Sequence, residues 1–569
     1  MRTLLLVAAG WLVAGAALAA APGDASPASE ATPPGAAIAS AHHLATDAGL
    51  EVFAQGGNAF DAAVAVSSTL SVVEPISSGL GGGGFFLLHD AADDRDVFID
   101  AREVAPESAT PAAYLDASGD LDRDRATNGP WSAGIPGLPA ALVHLAREYG
   151  RLPLGTSLAP AIRIAREGFP VYERLERGYA RRAEVMRRYP GSVAVFEADG
   201  DALQVGEVLR QPDLARTLER LAREGYDGFY KGEVAAQLRA GVEAAGGRWT
   251  ADDLAGYTVR ERAPIEFDYR DWHVVTAPPV SSGGVALAQM LQILEGWDLA
   301  TLDEATRTHL MVEAMRRAYR DRTIYLGDPD FVQVPVERLV HPAYAAGLRA
   351  TIHPSKATPS ALLPGKPAPL EDEETTHFSI IDSEGNIVSA TQTINLLYGS
   401  GLVPAGTGVL LNDEMDDFAL KPGTPNAFGV MGFEANAVEA GKRMLSSMTP
   451  TILVSDDKVA ALGAPGGSRI ITEVLLGILG YDAGLGAQEV AALPRIHHQW
   501  LPDAISAEPG ALSPATIEAL EAMGHVVNAG EDTWGNLQTV SWDRDAGTLS
   551  GGTDPRNAVG SAEVVPSAP

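Results

Sequence analysis

Glu374-Thr375-Thr376-His377-Phe378-Ser379-Ile380-Ile381-Asp382 is the stretch on which the reading of this chain turns. Upstream the sequence contains Pro and Lys and then becomes acidic, ending in Glu371-Asp372-Glu373-Glu374. Downstream it switches at once to strand-forming residues. A second strand, Asn386 to Ile394, follows across Ser383-Glu384-Gly385-Asn386, residue types that make a hairpin turn. Thr375 thus stands at a loop-to-strand junction. Two readings are open there: a threonine that merely starts a strand, or the nucleophile of a hydrolase that cuts its own chain. Side chains alternate along a strand, so Thr391, Thr393 and Asn395 share one face, and Gln392 and Ile394 the other. A hydroxyl and an amide therefore stand together on the arm beside Thr375.

The 569 residues suffice for one or two large cores. A formal net charge of −32 weighs against nucleic acid or an anionic membrane as partner, because phosphates are repelled. It does not by itself point to a cationic substrate. The 60 glycines and 38 prolines are scattered and mark no internal repeat. Cysteine is absent, which excludes disulfides, a thiol nucleophile, Cys-ligated zinc and a lipid-anchored cysteine. The nucleophile must be Ser or Thr.

Arg2, the apolar run Leu4 to Leu18 and Ala17-Leu18-Ala19 read as a signal peptide over residues 1–19, cut after Ala19 or Ala21. A Pro/Ser/Ala-rich linker follows over residues 20–34. The apolar run is too short and too rich in small residues for stable membrane insertion. The expectation is an exported protein, periplasmic or secreted.

Asn58 with Asp61 three residues on caps a helix that is apolar on every side, as a buried helix is, and that Pro75 ends. The glycines of Ser77-Ser78-Gly79-Leu80-Gly81-Gly82-Gly83-Gly84 lie between a helix and a following strand. A dinucleotide site needs the reverse order, so close backbone approach in a core explains them better. Arg102 and Glu103 end a strand that begins at Val97. Residues 139–261 read as mostly helical, with short strands at 264–269 and 272–276 and helices at 285–294 and 306–319. His309 and Glu313 read as a helix-surface pair. A strand at 459–462 leads through Gly466-Gly467-Ser468-Arg469 into a helix at 470–479. His497-His498 lacks a carboxylate at ligand spacing and is not read as a metal site. The tail, from about Gly551, ends in turn residues.

Six separated motifs together resemble the γ-glutamyltranspeptidase family of N-terminal-nucleophile hydrolases. They are Gly56-Gly57-Asn58-Ala59 with Asp61-Ala62-Ala63, Ser77 to Gly83, Thr375-Thr376-His377, Met415-Asp416-Asp417-Phe418, Ser446-Ser447-Met448, and Pro465 to Arg469. Any one is weak, but six in the family's order over residues 56–555 are specific. The resemblance implies an α+β fold, a four-layer αββα sandwich. It implies a precursor cut between Glu374 and Thr375 into a large subunit (35–374) and a small one (375–569), which stay together as a heterodimer.

The resemblance also implies roles. Thr375 is the nucleophile, oriented by Thr393, and the Gly466 and Gly467 amides form the oxyanion hole. After cleavage the Thr375 α-amine, with a pKa of roughly 7.7–8, is the base. Arg102 clamps the substrate carboxylate with help from Ser446 and Ser447, and Asn395, Glu414 and Asp417 receive its ammonium. The implied substrates are glutathione or other γ-glutamyl compounds, with water, amino acids or dipeptides as acceptors, and no cofactor or metal. In one position the chain departs from the pattern. Within 421–429 Phe428 stands where bacterial members carry a tyrosine whose hydroxyl latches a lid, which implies a looser lid here. Two alternatives remain beside this reading: a cephalosporin or glutaryl acylase on the same fold, and a non-catalytic exported binding protein.

Overall fold

The computed structural model describes residues 32–362 and 374–566. The signal peptide at 1–19, most of the linker at 20–34 and the acidic residues 371–373 lie outside them. Two antiparallel sheets pack face to face. One has seven strands in the spatial order Ser561–Pro566, Gly35–Ser40, Thr376–Ile381, Ile387–Thr393, Gly83–Asp90, Arg95–Ala101 and Arg260–Arg262. The other has six, ordered Thr548–Thr553, Gln538–Asp543, Lys458–Gly463, Thr451–Val454, Trp272–Thr276 and Ile265–Tyr269.

Strand alternation sorts the layers. In the central hairpin Phe378, Ile380, Val388 and Ala390 join a core with the helices His43–Ala54, Ala59–Val73, Leu138–Glu148 and Leu154–Glu167. The intervening residues face the second sheet, where Ser389 Oγ donates to the Leu462 carbonyl at 3.1 Å and Ser379 Oγ to that of Gln538 at 3.3 Å. A further core lies beneath the second sheet, built with the helices Gly283–Leu294, Glu304–Tyr325 and Ile470–Asp482. The result is the expected αββα sandwich.

Every residue of the Ala59–Val73 helix is buried. Asn58 Oδ1 accepts from the amides of Phe60 and Asp61 while Asp61 accepts from that of Asn58, a reciprocal cap. The glycine run lets backbones meet: a Cβ on Gly82 would lie 2.0 Å from the Thr393 carbonyl oxygen, and one on Gly81 2.0 Å from that of Leu410. The loop therefore abuts the end of the strand that carries Thr393.

Three expectations need correction. The tail is not only turns, because Thr548–Thr553 and Ser561–Pro566 are strands, the latter completing the sheet edge beside Gly35–Ser40. The Gly- and Ser-rich composition of Thr548–Thr553 hid the first of them. His309 and Glu313 are not on a surface: both are wholly buried, since their helix runs on to Tyr325 and is covered on several sides. The strand read as ending in Arg102 and Glu103 stops at Ala101, which frees both charged residues to turn inward. Among the described residues no helix is long and apolar enough to cross a membrane.

Candidate active site

Thr375 lies one residue before its strand, whose register sets Thr376 opposite Gln392. Thr375 is thereby carried abreast of Thr393, and their hydroxyl oxygens are 3.2 Å apart. The Thr375 hydroxyl donates to the carbonyl oxygen of Glu374 at 2.5 Å, and the Thr393 hydroxyl reaches the same oxygen at 3.3 Å. The Asn395 amide donates to Thr393 Oγ at 2.8 Å. Thr393 Oγ thus accepts from the Asn395 amide and from the Thr375 hydroxyl, and its own proton is directed to the Glu374 carbonyl. Thr375 is buried.

Thr375, Thr393, Asn395, Arg102, Glu414, Asp417, Ser446, Ser447, Gly467 and Phe428 all line one cavity. Of the other two expected residues, Gly466 adjoins the cavity wall through Gly467, and the Glu374 side chain turns away toward Arg174. Asn395 reaches the cavity through a left-handed turn (φ 78°) beyond the strand end, a conformation asparagine tolerates, and not by strand alternation. Gly466 and Gly467 have φ of 124° and 50°, backbone that favours glycine. They lead into the helix Ile470–Asp482, so the positive end of that helix faces the cavity.

The cavity floor is a charge cluster. Arg102, 1 % exposed, lies 3.0 Å from Glu414 and 3.7 Å from Glu103, and pairs directly with Asp417. Burial pushes the carboxyls of Glu414 and Asp417 up, with Arg102 opposing, and holds Glu103 at about 7. Arg102 itself is held above its ordinary range by these carboxylates against the cost of burial. A second buried guanidinium, Arg322, donates to Ser447 Oγ at 3.0 Å and to Ser282 Oγ at 2.9 Å. Ser446 is fixed by its own amide, which donates to the Val280 carbonyl at 3.0 Å.

Phe428 covers the cavity, packed with Leu396, Ala427 and Val430. The segment is tied down by its backbone and by Asn426: Gln499 donates to the Phe428 carbonyl at 3.0 Å, the Ala427 amide to Asp416 at 2.7 Å, and Asn426 to Asp417 at 3.1 Å. His377 is no base for Thr375. Its ring is buried between Thr391 and Ser379, and burial lowers its pKa to about 3, leaving it neutral.

Reasoning from residues missed Arg322, Glu103 and Asn426. Arg322 is one of several arginines in its helix, and Glu103 is simply the neighbour of Arg102, so neither carried a signal. Among the described residues His309, Glu313 and His525 lie close enough to share a metal. Their atoms are already matched, however. His309 bonds the His353 carbonyl and His525, each at 2.8 Å, and Glu313 holds Arg316, Arg317 and Thr358.

The profile of the family described as gamma-glutamyltranspeptidase matches residues 45–564. The chain is 43 % identical over 528 residues to a glutathione hydrolase proenzyme of Escherichia coli strain K12, covering 91 % of this chain and 90 % of that protein. It is 46 % identical over 497 residues to a glutathione hydrolase proenzyme of Pseudomonas sp. strain A14, covering 86 % and 85 %. Among solved structures, the cephalosporin acylase from Bacillus halodurans superposes with a TM-score of 0.82 at 30 % identity, covering 95 % of this chain and 98 % of that one.

The charge cluster generates a stability prediction. Arg102→Ala leaves buried carboxylates without their cation and should cost about 3–5 kcal/mol. Because those carboxyls are raised and take up protons readily, the loss in denaturant midpoint should be larger at pH 8 than at pH 5. Equal losses at both pH values would show that Arg102 is held by packing and not by charge.

Proposed function

The chain belongs to the γ-glutamyltranspeptidase family of enzymes, and from that premise we propose that it is a glutathione hydrolase and γ-glutamyltransferase that matures by cutting itself before Thr375. The observation that carries the reading is the Thr375 hydroxyl 2.5 Å from the carbonyl oxygen of the preceding residue, at the wall of a charged cavity. In the precursor, Thr375 Oγ adds to the Glu374 carbonyl carbon. The C–N bond breaks, the hydroxyl proton passes to the departing nitrogen, and an ester remains. Water hydrolyses the ester, leaving the large subunit ending at Glu374 and the small subunit beginning at Thr375 with a free α-amine.

That amine has a pKa of roughly 7.7–8 and can take the Thr375 proton near neutral pH, which is why the neutral, buried His377 is not needed. Thr375 Oγ then attacks the γ-carbonyl of the substrate. The amides of Gly466 and Gly467 receive the developing oxyanion, and the proton goes to the leaving amine. Water resolves the ester in hydrolysis; the amine of an amino acid or dipeptide resolves it in transfer.

The α-amino acid head of the substrate suits the charge cluster because a zwitterion adds no net charge to it. Its carboxylate goes to Arg102, Ser446 and Ser447, and its ammonium to Asn395, Glu414 and Asp417. Arg322 supports the arrangement: by donating to Ser447 Oγ it leaves that hydroxyl's own proton for the carboxylate. The apolar run in residues 4–18 supports export to the periplasm or exterior.

The acylase reading draws on the likeness to the Bacillus halodurans structure. A glutaryl group lacks the ammonium and would bring its carboxylate to Arg102 with no cation of its own for Glu414 and Asp417, so the charged floor favours the glutamyl reading.

A denaturing gel should show two chains for the natural sequence and one for Thr375→Ala. A γ-glutamyl anilide should turn over about 100-fold faster than a glutaryl anilide, or more; the reverse order would establish the acylase. Lowering pH protonates the raised carboxyls that attract the ammonium, so KM should climb from pH 8 to pH 5, while kcat falls as the α-amine is protonated. A KM flat across that range would remove Glu414 and Asp417 from the ammonium site. Phe428→Tyr restores the hydroxyl of the lid and should change the ratio of hydrolysis to transfer; an unchanged ratio would end the looser-lid idea.

A further inference from the structure

The chemistry above leaves a buried ion pair beside the scissile bond unused. Glu74 caps the C-terminal end of the helix Ala59–Val73 and is wholly buried. One of its oxygens lies 3.2 Å from Arg174 Nη1, and the other accepts from the Thr376 hydroxyl at 2.7 Å. Arg174 in turn pairs through Nη2 with the carboxylate of Glu374. The Ser77 hydroxyl donates to that same carboxylate oxygen at 3.1 Å. The residues on both sides of the Glu374–Thr375 bond are therefore tied by their side chains to one Arg–Glu pair. Burial drives Glu74 up, and Arg174 and the Thr376 hydroxyl hold it down; Glu374 and Glu74 together hold Arg174 above its ordinary range.

We propose that Arg174, seated on Glu74, is a positioning residue for self-cleavage: it grips the Glu374 side chain and fixes the scissile carbonyl over Thr375 Oγ. The proposal rests on the self-cleavage reading and goes beyond it. Attack by a threonine hydroxyl on the carbonyl just before it closes a five-membered ring. It requires one rotation about the bonds of Glu374 and Thr375 and no other. Thr376 is already fixed by the sheet, and on the other side of the bond the Glu374 side chain ties it to the folded core through Arg174 and Ser77. Ordering one residue in advance is worth a rate factor of about ten. Charge-assisted hydrogen bonds to a partly buried guanidinium are strong enough to provide it. Arg174 does not touch the reacting atoms; it acts through Glu374.

The test follows conversion of newly made precursor into two chains over time on a denaturing gel. It compares the natural sequence with Arg174→Met, Arg174→Lys, Glu374→Gln and the Arg174→Met/Glu374→Gln double variant. Arg174→Met should slow cleavage about tenfold. Arg174→Lys should recover part of the rate. Glu374→Gln should slow it by about threefold or more, because a neutral amide is a weaker acceptor. The double variant should be no slower than the slower single one, since both remove the same contact. Independent, multiplying losses would overturn the grip, and so would rates within twofold of the natural sequence. If Arg174→Met does not fold, the Glu374→Gln rate decides, because that change keeps size and shape. A natural chain that never cleaves would overturn the self-cleavage reading and this proposal with it, whereas cleavage indifferent to both residues overturns this proposal alone.

Discussion

The pairing of Thr376 with Gln392 is the constraint from which the site follows. It carries Thr375 abreast of Thr393 and, on the other side of the same strand, sets Thr393 opposite Gly83. A slip of one residue would turn Phe378 and Ile380 toward the second sheet and Ser379 toward the helical core, so the register is guarded by every buried side chain of the hairpin. The serine hydroxyls guard it again by bonding the backbone of the second sheet. The glycines guard it a third time, because the Thr393 carbonyl fits only where Gly82 lacks a side chain. The positions of two hydroxyls thus inherit the rigidity of the whole core.

The cavity beside them is costly for the fold. Arg102 faces three carboxyls in a buried setting, and such clusters seldom add net stability compared with apolar packing. Burial raises these carboxyls against the pull of Arg102, Glu103 to about 7. A floor poised in this way can ionise further when a cation arrives and draw back when it leaves. Histidines, by contrast, are removed from acid–base work by burial, as with His377 and His497, both lowered to about 3.

The parts of this arrangement that the sequence made legible are those with a local signature. Asn58 and Asp61 announce a cap, the apolar run announces a buried helix, and Thr375 stands where a loop meets a strand. The glycine run was correctly read as close approach, because its order relative to helix and strand excluded a nucleotide loop. The positions of Arg102, Glu414 and the two serines came from the joint motifs, since each alone looks like a surface or capping residue. Arg322, Glu103 and Arg174 were not legible, because their partners are either 40 to 200 residues away or adjacent without signal. The same holds for His309 and Glu313, whose helix spacing suits a surface pair and whose burial is decided by His525 and the chain near His353. The strand Thr548–Thr553 escaped for a compositional reason: its glycines and serine serve backbone pairing and offer no apolar alternation to read.

The order of strands would keep the chain one body after the proposed cut before Thr375. In the seven-stranded sheet Gly35–Ser40 lies between Ser561–Pro566 and Thr376–Ile381, and Gly83–Asp90 pairs with Ile387–Thr393. In the six-stranded sheet Trp272–Thr276 pairs with Thr451–Val454. Segments before and after residue 375 therefore alternate within the first sheet and meet again in the second. Breaking the bond between Glu374 and Thr375 removes one covalent link and no strand pairing. Separation would require opening four ladders and both cores at once, which no single cleavage can approach. This interleaving makes the bond between Glu374 and Thr375 expendable to the fold. What holds Thr375 in place is its strand, so its position does not depend on the bond to Glu374, whose own side chain is tied to Arg174 and Ser77.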